Sequence, residues 1–149
     1  MKQEDEELLL QDLCARLPYN PMVEYKDKNY NVLGITHERL VLCKPFMSHT
    51  LDEHPLVKEV KPYLLPLSSM TEEQMEELEE LCDMYTPDDD YRPYAYLGIK
   101  VLYKHVLDDG YKFGFKSYVI DWFNKNHFDY RGLIEKGLAI DATGLNNIY

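Results

Sequence analysis

The chain has 149 residues, a formal net charge of −11, 45% hydrophobic side chains and 29% charged ones. That composition allows one ordinary core and argues against global disorder. No apolar run approaches the ~20 residues needed to span a bilayer, and the acidic start at residues 4–7 is unlike the basic-then-apolar start of a secretory signal.

The acidity is local. Residues 71–90 hold ten acids and no base, while the other 129 residues carry 17 acids against 16 Lys plus Arg. A block of this sign argues against nucleic acid as a partner at that face. The cysteines, Cys14, Cys43 and Cys82, are odd in number, far apart and outside any C-x-x-C pair. They suit reduced core thiols in a cytosol. One domain is expected over 1–149, strand-rich at about 18–66 and helix-rich at about 67–140.

In chain order, residues 3–17 read as a helix, with Leu9, Leu10, Leu13, Cys14 and Leu17 at three- and four-residue steps. Glu4, Asp5, Glu6 and Glu7 lie where the helix dipole favours negative charge, and Pro18 and Pro21 end it. Residues 22–25, 30–35 and 39–43 are rich in β-branched and aromatic residues and read as short strands. Polar breaks at 27–29 and 36–38 separate them. Such strands form a meander or small barrel-like sheet. After Pro45 the chain reads as irregular, with one more strand at 57–60.

Residues 71–85 give the clearest helix. Thr71 and Gln74 fit a capping box, and Met70 and Met75 fit the hydrophobic staple around it. At about 100° per residue, Met75, Leu78, Leu81, Cys82 and Tyr85 fall on one side and every acid of the helix on the other. Residues 86–93 read as a proline-bounded loop. Residues 96–115 read as a β-hairpin about Asp108-Asp109-Gly110, with a helix through Ile99, Leu102, Tyr103 and Val106 as the alternative. A helix at 116–127 carries Tyr118, Val119, Trp122 and Phe123. A last helix at 130–138 has Asp129 as its cap, and the tail after Gly144 is expected to fray.

Several residues could carry chemistry. His49, Asp52, Glu53 and His54 are the closest set of potential metal ligands, but His-x4-His is not a standard spacing. A small metal-dependent hydrolase using His49, Asp52 and His54, joined by His127 and Asp129, is one alternative function. Asp88-Asp89-Asp90 lacks the glycine and distal Glu of an EF-hand loop. His127, Asp129, Tyr130 and Arg131 form a dense polar cluster in which His and Asp could act as acid and base. The plainer reading makes Asp129 a cap, pairs Arg131 with an acid, and packs Phe128 and Tyr130. Cys14 and Cys82 fall on apolar helix faces, where burial keeps a thiol inert. Lys100, Lys104, Lys112, Lys116 and Lys125 alternate with Tyr103, Tyr111, Phe113 and Phe115. This supports a second alternative, a nucleic-acid-binding module. No phosphate-binding glycine loop, nucleophile elbow or HExxH motif is present.

Two stretches carry a resemblance. One is Lys61-Pro62-Tyr63-Leu64-Leu65-Pro66-Leu67 leading to Met70-Thr71-Glu72-Glu73. The other is Asp121-Trp122-Phe123 with His127-Phe128-Asp129-Tyr130-Arg131-Gly132-Leu133-Ile134-Glu135-Lys136-Gly137-Leu138-Ala139-Ile140. Together they resemble a family of small proteins encoded by Bacteroides-type phages, prophages and other mobile elements. The resemblance implies a small accessory protein in a bacterial cytoplasm and supplies no catalytic residue.

The sequence therefore leads to an α+β fold: a small antiparallel sheet at 22–66 with helices at 3–17, 71–85, 116–127 and 130–138. The expected role is non-enzymatic, with no cofactor and no metal, through a protein partner or self-association. Nucleic acid and membrane are not expected partners. The candidate surface is Glu72, Glu73, Glu76, Glu80 and Asp83.

Overall fold

A computed structural model describes residues 1–37, 39–45, 53–84, 117–146 and 148–149. Within them lie three α-helices, α1 (Gln3–Arg16), α2 (Glu72–Met84) and α3 (Ser117–Lys125). Five strands form the sheet: β1 (Met22–Tyr25), β2 (Lys28–Thr36), β3 (Arg39–Cys43), β4 (Lys61–Leu64) and β5 (Ile140–Asp141). The fold is α+β, as the sequence implies. The hairpin expected at 96–115 and the loop expected at 86–93 lie outside the described residues.

Strand order is β3-β2-β1-β4-β5. β1 and β2 form a hairpin closed by Lys26 and Asp27, whose φ values of 51° and 59° place both in the left-handed region. That is the backbone a two-residue type I′ turn requires, and its twist matches the strands. β2 and β3 pair antiparallel, and their register shifts at Leu33 between Val32 and Gly34. The extra residue of this bulge points outward, with Leu33 44% exposed. The far edge of β3 is covered by residues 53–56, whose Glu53 and Pro55 carbonyls accept from the Leu42 and Leu40 amides at 3.1 and 2.9 Å.

The remaining pairings depart from the sequence reading. Residues 57–60 are not a strand: Val57–Glu59 is a 3-10 turn, with Glu59 Oε2 accepting from the Leu56 amide at 2.7 Å. The strand lies just after it. β4 pairs antiparallel with β1, with Pro62 opposite Val23. β5 then adds in parallel to β4, Tyr63 opposite Ile140, so the sheet is mixed and not wholly antiparallel. Residues 130–138 form turns and no helix. Gly132 and Gly137 both sit at φ 70°, and the Leu138 and Ala139 amides both turn back to the Leu133 carbonyl. Left-handed residues at both ends of a six-residue stretch leave no room for a continuous right-handed helix.

Alternation along the strands puts Val23, Tyr30, Val32, Leu40, Leu42 and Leu64 on one sheet face, where Leu9 and Leu13 of α1 and Leu133 and Leu138 complete the main core. Met22 and Tyr63 point the other way and meet Ala142 and Ile148. Ile148 and Tyr149, in the tail expected to fray, are therefore docked. Ile148 is buried, and the Tyr149 hydroxyl donates to the Tyr63 carbonyl at 2.5 Å. A third cluster joins Leu67, Leu78 of α2, Val119, Trp122 and Phe123 of α3, and Phe128 and Tyr130. The capping box of α2 is present: the Thr71 amide donates to Gln74 Oε1 at 3.0 Å and the Gln74 amide to Thr71 Oγ1 at 3.2 Å. Among the described residues, no helix is long and apolar enough to cross a membrane.

Candidate functional site

Among the described residues, the densest polar chemistry lies where α1 meets the end of α3. In α1 the buried residues are Leu9, Asp12, Leu13 and Arg16, at i, i+3, i+4 and i+7 of one face. Asp12 and Arg16 are each 0% exposed and pair through two bonds, Nε–Oδ2 at 2.7 Å and Nη2–Oδ1 at 3.0 Å. Arg16 also donates to the carbonyls of Phe123 at 3.4 Å and Phe128 at 2.8 Å. Arg131 Nε approaches Asp12 Oδ1 at 3.4 Å. One carboxylate is thus held between two guanidinium groups. Sequence reasoning placed Cys14 on this face, but Cys14 is exposed, and Asp12 and Arg16 occupy the buried positions instead.

The end of α3 explains where those carbonyls come from. The Phe128 amide turns back to the Phe123 carbonyl at 3.0 Å and the His127 amide to that of Asn124 at 3.2 Å. His127 between them has φ 57°. This is a Schellman ending, with His127 at the left-handed position that usually carries glycine and Phe128 packed back on Phe123. Arg16 brings positive charge to the negative end of the helix dipole.

The four residues singled out at 127–131 go to three environments. Tyr130 and Arg131 belong to the buried ionic cluster. The Tyr130 hydroxyl accepts from Arg131 Nε and Nη2 at 3.1 and 3.0 Å and donates to Asn124 Oδ1 at 3.1 Å. Burial raises the pKa of that hydroxyl, against the pull of Arg131, and so keeps it protonated. Asp129 accepts from the Leu133 and Ile134 amides at 2.9 and 2.8 Å, one on each carboxylate oxygen. It caps the turn, as the plainer reading had it. His127 lies elsewhere: its ring stacks on Tyr149, centroids 3.7 Å apart and planes within 10°. Its Nδ1 is buried and has no hydrogen-bond partner among the described residues. Burial, helped by the charge of Arg16, lowers the imidazole pKa from 6.5 to about 4, so the ring is neutral at pH 7. Asp129, engaged by amides, does not hold this imidazole as an acid–base partner.

The acidic face of α2 is on the outside. Glu72, Glu73, Glu76, Glu77, Glu79 and Glu80 are exposed, while Leu78 on the opposite side is buried. Asp83 belongs to the same helix, and its side chain lies outside the described set. No described residue forms a salt bridge with these glutamates.

Of the metal candidates, His49 and Asp52 lie outside the described residues. Glu53 pairs with Lys26 at 3.7 Å, and His54 is exposed, its carbonyl accepting from Arg39 at 2.8 Å. Among the described residues no three His, Cys, Asp or Glu side chains are grouped to hold a metal. The lysine–aromatic segment also lies outside them, except Lys125, exposed at the end of α3. Compared with protein-family models, curated proteins and solved structures, the chain gives no significant match to any.

Proposed function

We propose that the protein works by binding another protein, as an accessory factor of a phage or other mobile element, and that the outer face of α2 is its docking surface. The observation that carries this reading is the set of six exposed glutamates on one helix whose opposite side is anchored in the core by Leu78. A rigidly held row of like charges does not stabilise its own helix, since glutamates four residues apart repel. It does provide a strong directional field for a basic partner. The basic groove of a DNA-binding protein is one surface of suitable sign, which the helix would occupy in place of phosphates.

The polar cluster at α1 and α3 supports a structural role for Asp12, Arg16, Tyr130 and Arg131, because their charged atoms face one another and backbone carbonyls. Changing Glu72, Glu73, Glu76 and Glu80 to Gln removes the charge and keeps good helix formers. A partner held by this face loses affinity in that variant, and its binding to the wild type weakens as salt is raised.

A further inference from the structure

His127 is a buried titratable group that neither the fold nor the α2 face requires. It occupies a left-handed backbone position, φ 57°, where glycine would be unstrained. A bulky residue there calls for a compensating contact, and the visible one is the Tyr149 ring lying flat on the imidazole. Tyr149 is held at its inner end and open at its outer one: its buried hydroxyl bonds the Tyr63 carbonyl and the Met22 backbone, while the residue as a whole is 52% exposed. The segment carrying Ala142, Ile148 and Tyr149 covers a small cluster with Met22 and Tyr63, separate from the main core.

We infer that this segment is a proton-operated latch: it closes over the second sheet face while the His127 imidazole is neutral, and it lifts away when that imidazole is protonated. The groups around the ring come from three elements. Tyr149 lies across it, Arg16 of α1 adds a positive charge balanced by Asp12, and Tyr63 of β4 lies beyond, under the Tyr149 hydroxyl. Its own turn contributes Asp129 and Arg131, engaged with backbone amides and with Asp12. Among the described residues, Nδ1 has no partner to receive a proton's charge. Lifting the segment returns the ring to water, whereas opening the main core would expose many more apolar residues. The proton therefore selects the smaller opening. The face uncovered, around Met22 and Tyr63, is a candidate second contact surface.

The test is native-state hydrogen exchange on the full chain between pH 7 and pH 5, corrected for the intrinsic pH dependence of exchange. The reporters are the Ala142 amide, bonded to the Leu64 carbonyl, and the Val32 amide, bonded to the Pro21 carbonyl. The latch predicts that Ala142 protection falls about twentyfold over this range, from the His127 shift and an ordinary imidazole in the open state, while Val32 protection holds. In His127→Asn, which tolerates the left-handed backbone but cannot be protonated, the fall at Ala142 disappears. In Tyr149→Ala, the His127 ring, followed by its own NMR signals, titrates closer to the ordinary 6.5. Equal protection of Ala142 at both pH values overturns the latch. So does the same fall in His127→Asn, or an unchanged His127 titration in Tyr149→Ala. The last comparison stands even if His127→Asn folds poorly.

Discussion

Arg16 and Phe128 are 112 residues apart in the chain, yet Arg16 Nη2 donates to the Phe128 carbonyl at 2.8 Å. The same guanidinium grips Asp12 and reaches the Phe123 carbonyl. It therefore ties the first helix to the last one at the turn where α3 ends, and it does so from a fully buried position. Removing one partner of a buried pair leaves the other charge unpaired, at a cost of about 3–5 kcal/mol. Asp12→Ala and Arg16→Met are each expected to destabilise by that amount in denaturant-induced unfolding. Arg131→Met should cost less, because Arg131 is a secondary, 3.4 Å partner of Asp12.

Trp122 stacks on Phe128 with planes within 12°, and its buried Nε1 has no hydrogen-bond partner among the described residues. Phenylalanine keeps the stacking and discards the unsatisfied donor. Trp122→Phe is expected to cost less than about 1.5 kcal/mol, against about 3–5 kcal/mol for Trp122→Ala, which opens a cavity. Denaturation curves of the two variants followed by circular dichroism decide this.

The capping box at the start of α2 makes a smaller prediction. Thr71→Ala removes the oxygen that accepts the Gln74 amide and should cost about 1 kcal/mol, while Thr71→Ser should be nearly neutral. Thermal unfolding of both variants beside wild type measures the difference.

His127 makes stability depend on pH. Its folded-state pKa, about 4, lies below the ordinary 6.5, so the open or unfolded chain binds the proton more readily. The contribution is intact above pH 6.5, declines as pH falls below it, and is lost by about pH 4. The loss is at most about 3 kcal/mol. Subtracting the stability-against-pH curve of His127→Asn from that of wild type isolates this share from the carboxylates.

Residues that speak through local pattern were legible in the sequence. Thr71 and Gln74 marked the start of α2, the β-branched and aromatic content of 22–25 and 39–43 marked β1 and β3, and the glutamate side of α2 lies in solvent as its spacing implied. The misses have local causes too. Reading only apolar residues in α1 put Cys14 on the buried face. Counting Leu9, Asp12, Leu13 and Arg16 together shows a full i, i+3, i+4, i+7 stripe with an ion pair inside it. Pro62 concealed β4, since proline lacks the ladder N–H and is rare in a central strand. β5 has two residues and pairs in parallel with a strand far away in sequence, which leaves no periodic signal. The 130–138 segment has helical spacing of Leu133, Ile134 and Leu138, but its two left-handed glycines override it. The Tyr149–His127 stack is a long-range contact that nothing in either residue's neighbourhood announces.

The most direct measurement of the central claim is parallel affinity capture from bacterial host lysate, using wild type and the Glu72→Gln, Glu73→Gln, Glu76→Gln, Glu80→Gln variant, read by quantitative mass spectrometry. A partner with a basic surface is expected, enriched on wild type, released by moderate salt and lost from the variant. A partner retained equally by both baits would contradict it and move the binding surface away from α2.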